Sequence, residues 1–263
     1  MQATEHLHEH EHDRDHAHSS TQAWAKTILL LGLGLYFVYI IASGNLTNYI
    51  NVRFAWLSYL AAVLFLLIGV GSAYDLLKGH HHEHHHDHDH EHDHNHGQMS
   101  WWVLGIVAVP LVLGTLIPSQ PLSASAVGGN ISIKAVAVDS AAAFSKAPKD
   151  RNVLDWLREF NTSTNPASFD GQEADVIGFV YREPTFPKNT FMVARFAITC
   201  CVADASAIGL PVLYDKAATL TDGDWVRVAG AFKAGDFRGT SVPILQVKTL
   251  DKVPQPDHPY LYP

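Results

Sequence analysis

The sequence predicts three transmembrane α-helices followed by a C-terminal, mainly-β soluble domain built as a small OB-like (oligonucleotide- or oligosaccharide-binding) barrel. Three observations carry that expectation. Three almost purely apolar stretches lie in the first 118 residues, ordinary soluble composition returns from Ser119 onward, and one turn-strand-glycine frame occurs twice in the second half. A mean hydropathy of +0.02 averages over these unlike materials and conceals them.

The apolar stretches are Trp24–Ala42, Phe54–Tyr74 and Trp101–Pro118. Each has about the length a helix needs to cross a hydrocarbon layer of ~30 Å. Interface residues mark their ends: Trp24 with Lys26, Arg53 with Trp56, Tyr74 with Lys78, and Trp101 with Trp102. Pro110 removes one hydrogen bond inside the third stretch, which membrane helices tolerate; a buried soluble helix is the alternative there. The first stretch follows an acidic tail and is not followed by a small-residue cleavage site. It is therefore expected to remain as a span instead of being removed as a signal peptide.

Of 18 histidines, 17 fall in two tracts. The tail 1–22, expected to be disordered, carries His6, His8, His10, His12, His16 and His18. The loop 79–97 carries His80, His81, His82, His84, His85, His86, His88, His90, His92, His94 and His96. Alternation with Asp and Glu supplies imidazole nitrogens and carboxylate oxygens at many spacings, so zinc or another divalent transition metal finds several adequate ligand sets at low affinity and low selectivity. The plain alternative is a solvated linker. Two crossings separate the tracts and put them on one side of the membrane, while three crossings put the C-terminal domain on the other. Three basic residues near the spans on the tract side (Arg14, Lys26, Lys78) against two opposite (Arg53, Lys134) assign the tracts to the cytoplasm and the domain to the outside.

A small-residue linker, 119–130, leads into the soluble domain, 131–263, with the barrel at about 170–253. Ile131–Val138 reads as a strand, and Val153, Leu157 and Phe160 recur at helical spacing. The repeated frame is DGQEADVIG (Asp170–Gly178) and DGDWVRVAG (Asp222–Gly230): an Asp-Gly turn, an alternating strand, then a glycine expected at a bulge or sharp bend. With Phe191–Cys201, Leu210–Tyr214 and Pro243–Leu250 this gives about five coiled strands, which an OB-like barrel needs; a small open sandwich is the alternative. The short DKAATLTDGD leaves no room for a helix between the third and fourth strands. The domain carries 14 Lys and Arg against 15 Asp and Glu, so it lacks the basic face that nucleic acid requires.

The only two cysteines, Cys200 and Cys201, are adjacent and are followed by Asp204. Continued strand alternation assigns Cys200 to the apolar face with Phe196 and Ile198, and Cys201 to the opposite face with Arg195, so a shared site requires a break in the strand. The alternatives are core filling, a thiolate pair with Asp204 binding a soft metal, a thiol whose pKa is lowered by Arg195, and last a strained disulfide between neighbours. His258, outside the tracts, is expected to be solvent-exposed.

GFVYRE (Gly178–Glu183), ARFAITCCVADA with Gly209, DGDWVRVAGAF and the terminal PYLYP together resemble the YcgQ-like family of bacterial membrane proteins, labelled as subunits of predicted two-component permeases. The resemblance implies membrane spans, an extramembrane domain and a separate multispanning permease partner. It carries over Arg195, Cys200, Cys201 and Asp204 as motif positions and names no reaction. The long His tracts depart from the family pattern.

The sequence therefore predicts a non-enzymatic, multi-pass plasma-membrane accessory subunit of a permease, linked to divalent metal handling, with Cys200, Cys201 and Asp204 as a candidate metal site. Its expected partners are the permease, divalent ions and the bilayer. The alternative is a membrane-anchored thiol redox or ligand-binding protein that uses the cysteine pair; a structural scaffold is the third reading.

Overall fold

The computed structural model describes residues 6–78, 100–133 and 146–263, with side chains described from residue 20. The chain forms two compact units, Met1–Leu46 with Arg53–Ser119, and Thr47–Val52 with Gln120–Pro263.

The first unit holds α1 (His6–Ala42), α2 (Ala55–Lys78) and α3 (Trp101–Leu116). α1 begins within the first His tract. Glycines let α1 and α2 approach closely: a methyl at Gly34 would meet Leu66, and one at Gly69 would meet Leu31. Phe37 and Phe65 stack across the same contact, ring centres 6.0 Å apart. Two stretches, Ser20–Ala42 and Val52–Lys78, are long and apolar enough to cross a membrane, in place of the three expected. α3 has 16 residues, a rise of about 24 Å. It keeps Pro110 within the helix and stops where Ile117 turns extended, the conformation a following proline imposes on its neighbour.

In the second unit, α4 (Val153–Phe160) is the short amphipathic helix expected. Asn152 and Asp155 form a capping box at its start, and Lys146 donates to Asp155 at 2.7 Å. Its buried face, Val153, Leu154, Trp156 and Leu157, belongs to one hydrophobic core with Val176, Val180, Phe191 and Phe232. Trp156 meets Phe232 edge-on at 4.8 Å.

The strands are β1 (Glu173–Tyr181), β2 (Thr190–Ala197), β3 (Ser206–Leu213), β4 (Trp225–Phe237), β5 (Thr240–Lys252) and β6 (Tyr260–Leu261). Five of them pair as a ring, β1–β4–β5–β3–β2 and back to β1; β3 and β5 run parallel and the other ring pairs antiparallel. Both glycine frames behave as read. Gly171 and Gly223 take φ of +80° and +88° in their turns, which only glycine adopts freely. Gly230 sits at the register shift between β4 and β5, where a side chain would strike the Gln246 backbone. Gly178 lies where β1 passes from β4 to β2, against the backbone of Ala194. Between β3 and β4 the one helical element is the short 3-10 turn Ala217–Thr219. Of the expected strand at 131–138, Ser132 makes one bridge to Ile208 and the part from 134 lies outside the described residues.

Candidate functional site

β2 is buried along its whole length, so its alternation separates two cores instead of core from solvent. Phe191, Val193 and Ala197 enter the α4 core, while Met192, Ala194 and Phe196 join a second core with Phe179, Tyr181 and Tyr260. On one edge β1 covers Met192–Ala194 and β6 takes over at Phe196 and Ala197, in parallel. The C-terminal tail is thus a strand of the sheet.

Arg195 fixes that tail. It is 7% exposed, and its guanidinium donates to the carbonyls of Pro259 at 3.0 Å, His258 at 2.8 Å and Ile177 at 3.3 Å while lying over Trp225. Burial lowers its pKa to about 10, with Tyr262 opposing, so the charge persists at neutral pH. The alternative in which Arg195 lowers a thiol pKa gains no support: its donors go to these carbonyls, and the Cys200 thiol is raised. The side chain of His258 is exposed, as expected.

The strand expected to run through Cys201 ends at Ala197. Asp204 is the cause: its Oδ1 accepts the Thr199 amide at 2.9 Å and its Oδ2 the Cys200 amide at 2.7 Å, capturing groups that a continuing strand would pair. Cys201 then precedes the single turn Val202–Asp204. This is the break that a shared site requires. The two Sγ atoms lie 3.8 Å apart, and Cys200 is exposed, which corrects its assignment to the apolar face. Desolvation would raise the Asp204 carboxyl, but the Cys200 amide and thiol and the Thr199 and Cys201 amides outweigh it and hold the group below the usual carboxylate range. Hydrogen bonding to Asp204, then to Cys201, pushes the Cys200 thiol up to about 11. A thiol so held keeps its proton at neutral pH unless a bound cation displaces it, which weighs against the redox alternative.

A partner that the sequence reading missed completes the turn. Thr47–Val52, between α1 and α2, belongs to this second unit. The Asn51 amide donates to the Cys200 carbonyl at 3.0 Å and the Val202 amide donates to the Tyr49 carbonyl at 2.9 Å. That pattern makes Ile50 and Cys201 a close antiparallel pair. Asn51, 2% exposed, adds an Nδ2 bond to the Thr199 carbonyl at 2.8 Å. Tyr260 of β6 donates its hydroxyl to the Asn48 carbonyl at 3.1 Å and accepts the Leu122 amide at 2.8 Å. The residues Tyr49, Ile50 and Val52, which favour strands, were the available signal in a connection otherwise too short to interpret.

Among the described residues no group of three or more His, Cys, Asp and Glu side chains could hold a metal. The loop tract His80–His96 and the side chains of His6–His18 lie outside the described residues.

Residues 25–131 match the DUF1980 N-terminal domain and residues 146–263 the DUF1980 C-terminal domain. The UPF0703 protein YcgQ of Bacillus subtilis (strain 168) is 31% identical over 270 residues, covering 86% of this chain and 95% of that protein. The chain belongs to the YcgQ family. A Streptococcus mutans serotype c protein, named "Putative two-component membrane permease complex subunit", is 22% identical over 267 residues, with 86% and 94% covered. The motif that carries the YcgQ resemblance is the one that builds the turn, the tail and their contact with Thr47–Val52.

Proposed function

We propose that the chain is an integral membrane accessory subunit of a two-component permease and that it handles divalent, zinc-like metal. The permease partner is supported by the name of the Streptococcus mutans relative, and the membrane setting by the two apolar helices. The observation that carries the architecture is the membership of Thr47–Val52 in the C-terminal unit. In this reading α1 crosses to that segment and α2 returns to the side of loop 79–97. The chain must then cross again to reach the domain that holds Thr47–Val52. The apolar segment between them is Trp101–Pro118, so the parity supports α3 as a third, short span accommodated by local thinning of the bilayer.

In the same reading both His tracts face the cytoplasm and collect metal loosely, while the domain stands on the outer face and the Cys200–Cys201 turn offers a separate thiol site. The ring of pairings, with its parallel β3–β5 closure, supports the OB-like barrel reading of that domain. The test is copurification of the native complex followed by elemental analysis, with and without the tracts. A multispanning partner and metal at more than one equivalent, reduced by tract deletion, are expected. A chain that purifies without a membrane partner, or metal-free, contradicts the reading.

A further inference from the structure

The spacing of the two thiols says which chemistry the turn suits. Two thiolates bound at about 2.3 Å to one tetrahedral ion lie about 3.8 Å apart. The Sγ atoms of Cys200 and Cys201 are separated by 3.8 Å. A disulfide needs sulfurs at about 2.05 Å and Cα atoms about 4.4–6.8 Å apart, whereas neighbours across a trans peptide are held at about 3.8 Å. The spacing, which also lets the Cys200 thiol donate to Cys201, is compatible with a chelate and far from a disulfide.

We infer that Cys200 and Cys201 form a two-thiolate site for a single soft, closed-shell divalent cation, with its remaining coordination positions open to exchange. This deepens the metal reading of the same turn. Asp204 is a positioning residue in it: its oxygens accept the Thr199 and Cys200 amides and the Cys200 thiol. The backbone on either side is held by Asn51 and Tyr49, so the pair stays set without metal. On binding, two S–H bonds break and two sulfur–cation bonds form; both protons leave to solvent, and the dication with two thiolates is neutral. Structural zinc sites close around four protein ligands, whereas a site of two ligands with Cys200 exposed is built to receive and release its ion. The tracts offer imidazole and carboxylate; this turn offers sulfur and selects softer ions.

The test uses the full-length chain in detergent with one equivalent of Cd²⁺. Two readouts are followed: ultraviolet thiolate-to-cadmium charge-transfer absorption, and maleimide labelling of each cysteine by peptide mass spectrometry. The expected result is a charge-transfer band at one ion per chain and labelling of both cysteines slowed at least tenfold, with the band lost in Cys200→Ser and in Cys201→Ser. Ions held by the His tracts give no sulfur band and shield no cysteine. Labelling at the metal-free rate, or a band requiring two chains per ion, overturns the inference, and neither outcome depends on a variant folding. Copurification with the permease is read separately, so failure here leaves that reading intact.

Discussion

Arg195 and Asp204 each satisfy backbone groups that the end of β2 would otherwise leave bare: carbonyls of the tail for one, amides of the turn for the other. Arg195→Lys keeps the charge but not the fork, and a buried ammonium cannot reach three diverging carbonyls. It should cost about 2–4 kcal/mol, measured by thermal denaturation in detergent, and should speed hydrogen exchange at the Ile198 amide, which pairs with Leu261. Asp204→Ala should cost about 1–2 kcal/mol through the two lost acceptors. The sign of its pH dependence follows from the lowered carboxyl: its stabilisation is present above the unfolded value of about 3.9 and is lost as pH falls through the lower folded value. The Cys200 thiol, pushed up to about 11, should alkylate faster with each unit of pH up to that range; a plateau near the free-thiol value would revive the redox reading. These residues were legible in sequence as a motif. Their roles were not, because alternation cannot foresee that a carboxylate well beyond Ala197 will end a strand.

At the scale of elements, the glycine frames were the most legible part of the fold, since each glycine answers either a positive φ in its turn (Gly171, Gly223) or a backbone too close for a side chain (Gly178, Gly230). Gly178→Ala and Gly230→Ala press a methyl against the carbonyl oxygens of Ala194 and Gln246 and should each lower the midpoint of domain unfolding by several degrees. Gly71→Ala, with nothing near the added methyl, should leave it unchanged. Helix α4 was legible from its period; its capping box is seen only in the structure. The length of α3 was not, because the apolar run continues through Ile117 while Pro118 turns that residue out of the helix. The bridging role of Thr47–Val52, one pair between Ile50 and Cys201, was hidden for a different reason. Its hydrogen-bond partners lie about 150 residues away, as with Asn51 and Thr199, a sequence separation of 148, and no local pattern reports such a pairing. Asn51→Ala should weaken it by about 1–2 kcal/mol, read as faster exchange of the Val202 amide.

At the scale of the whole molecule, the proposed function joins two kinds of metal chemistry in one chain: abundant, weak nitrogen and oxygen ligands in the tracts, and one sulfur pair in the domain. In the proposed function these stand on opposite faces of the membrane by parity, with α3 as the third crossing. The sequence carries three apolar runs, two of which form helices long and apolar enough to cross a membrane; the proposed third crossing rests on the grouping of Thr47–Val52 with the C-terminal unit. The most direct measurement is sidedness, made with a protease site inserted in loop 79–97 and a second in the 119–130 linker, in intact spheroplasts and in inverted vesicles. The account predicts cleavage of the linker only in spheroplasts and of the His loop only in inverted vesicles. Cleavage of both from the same face would contradict it.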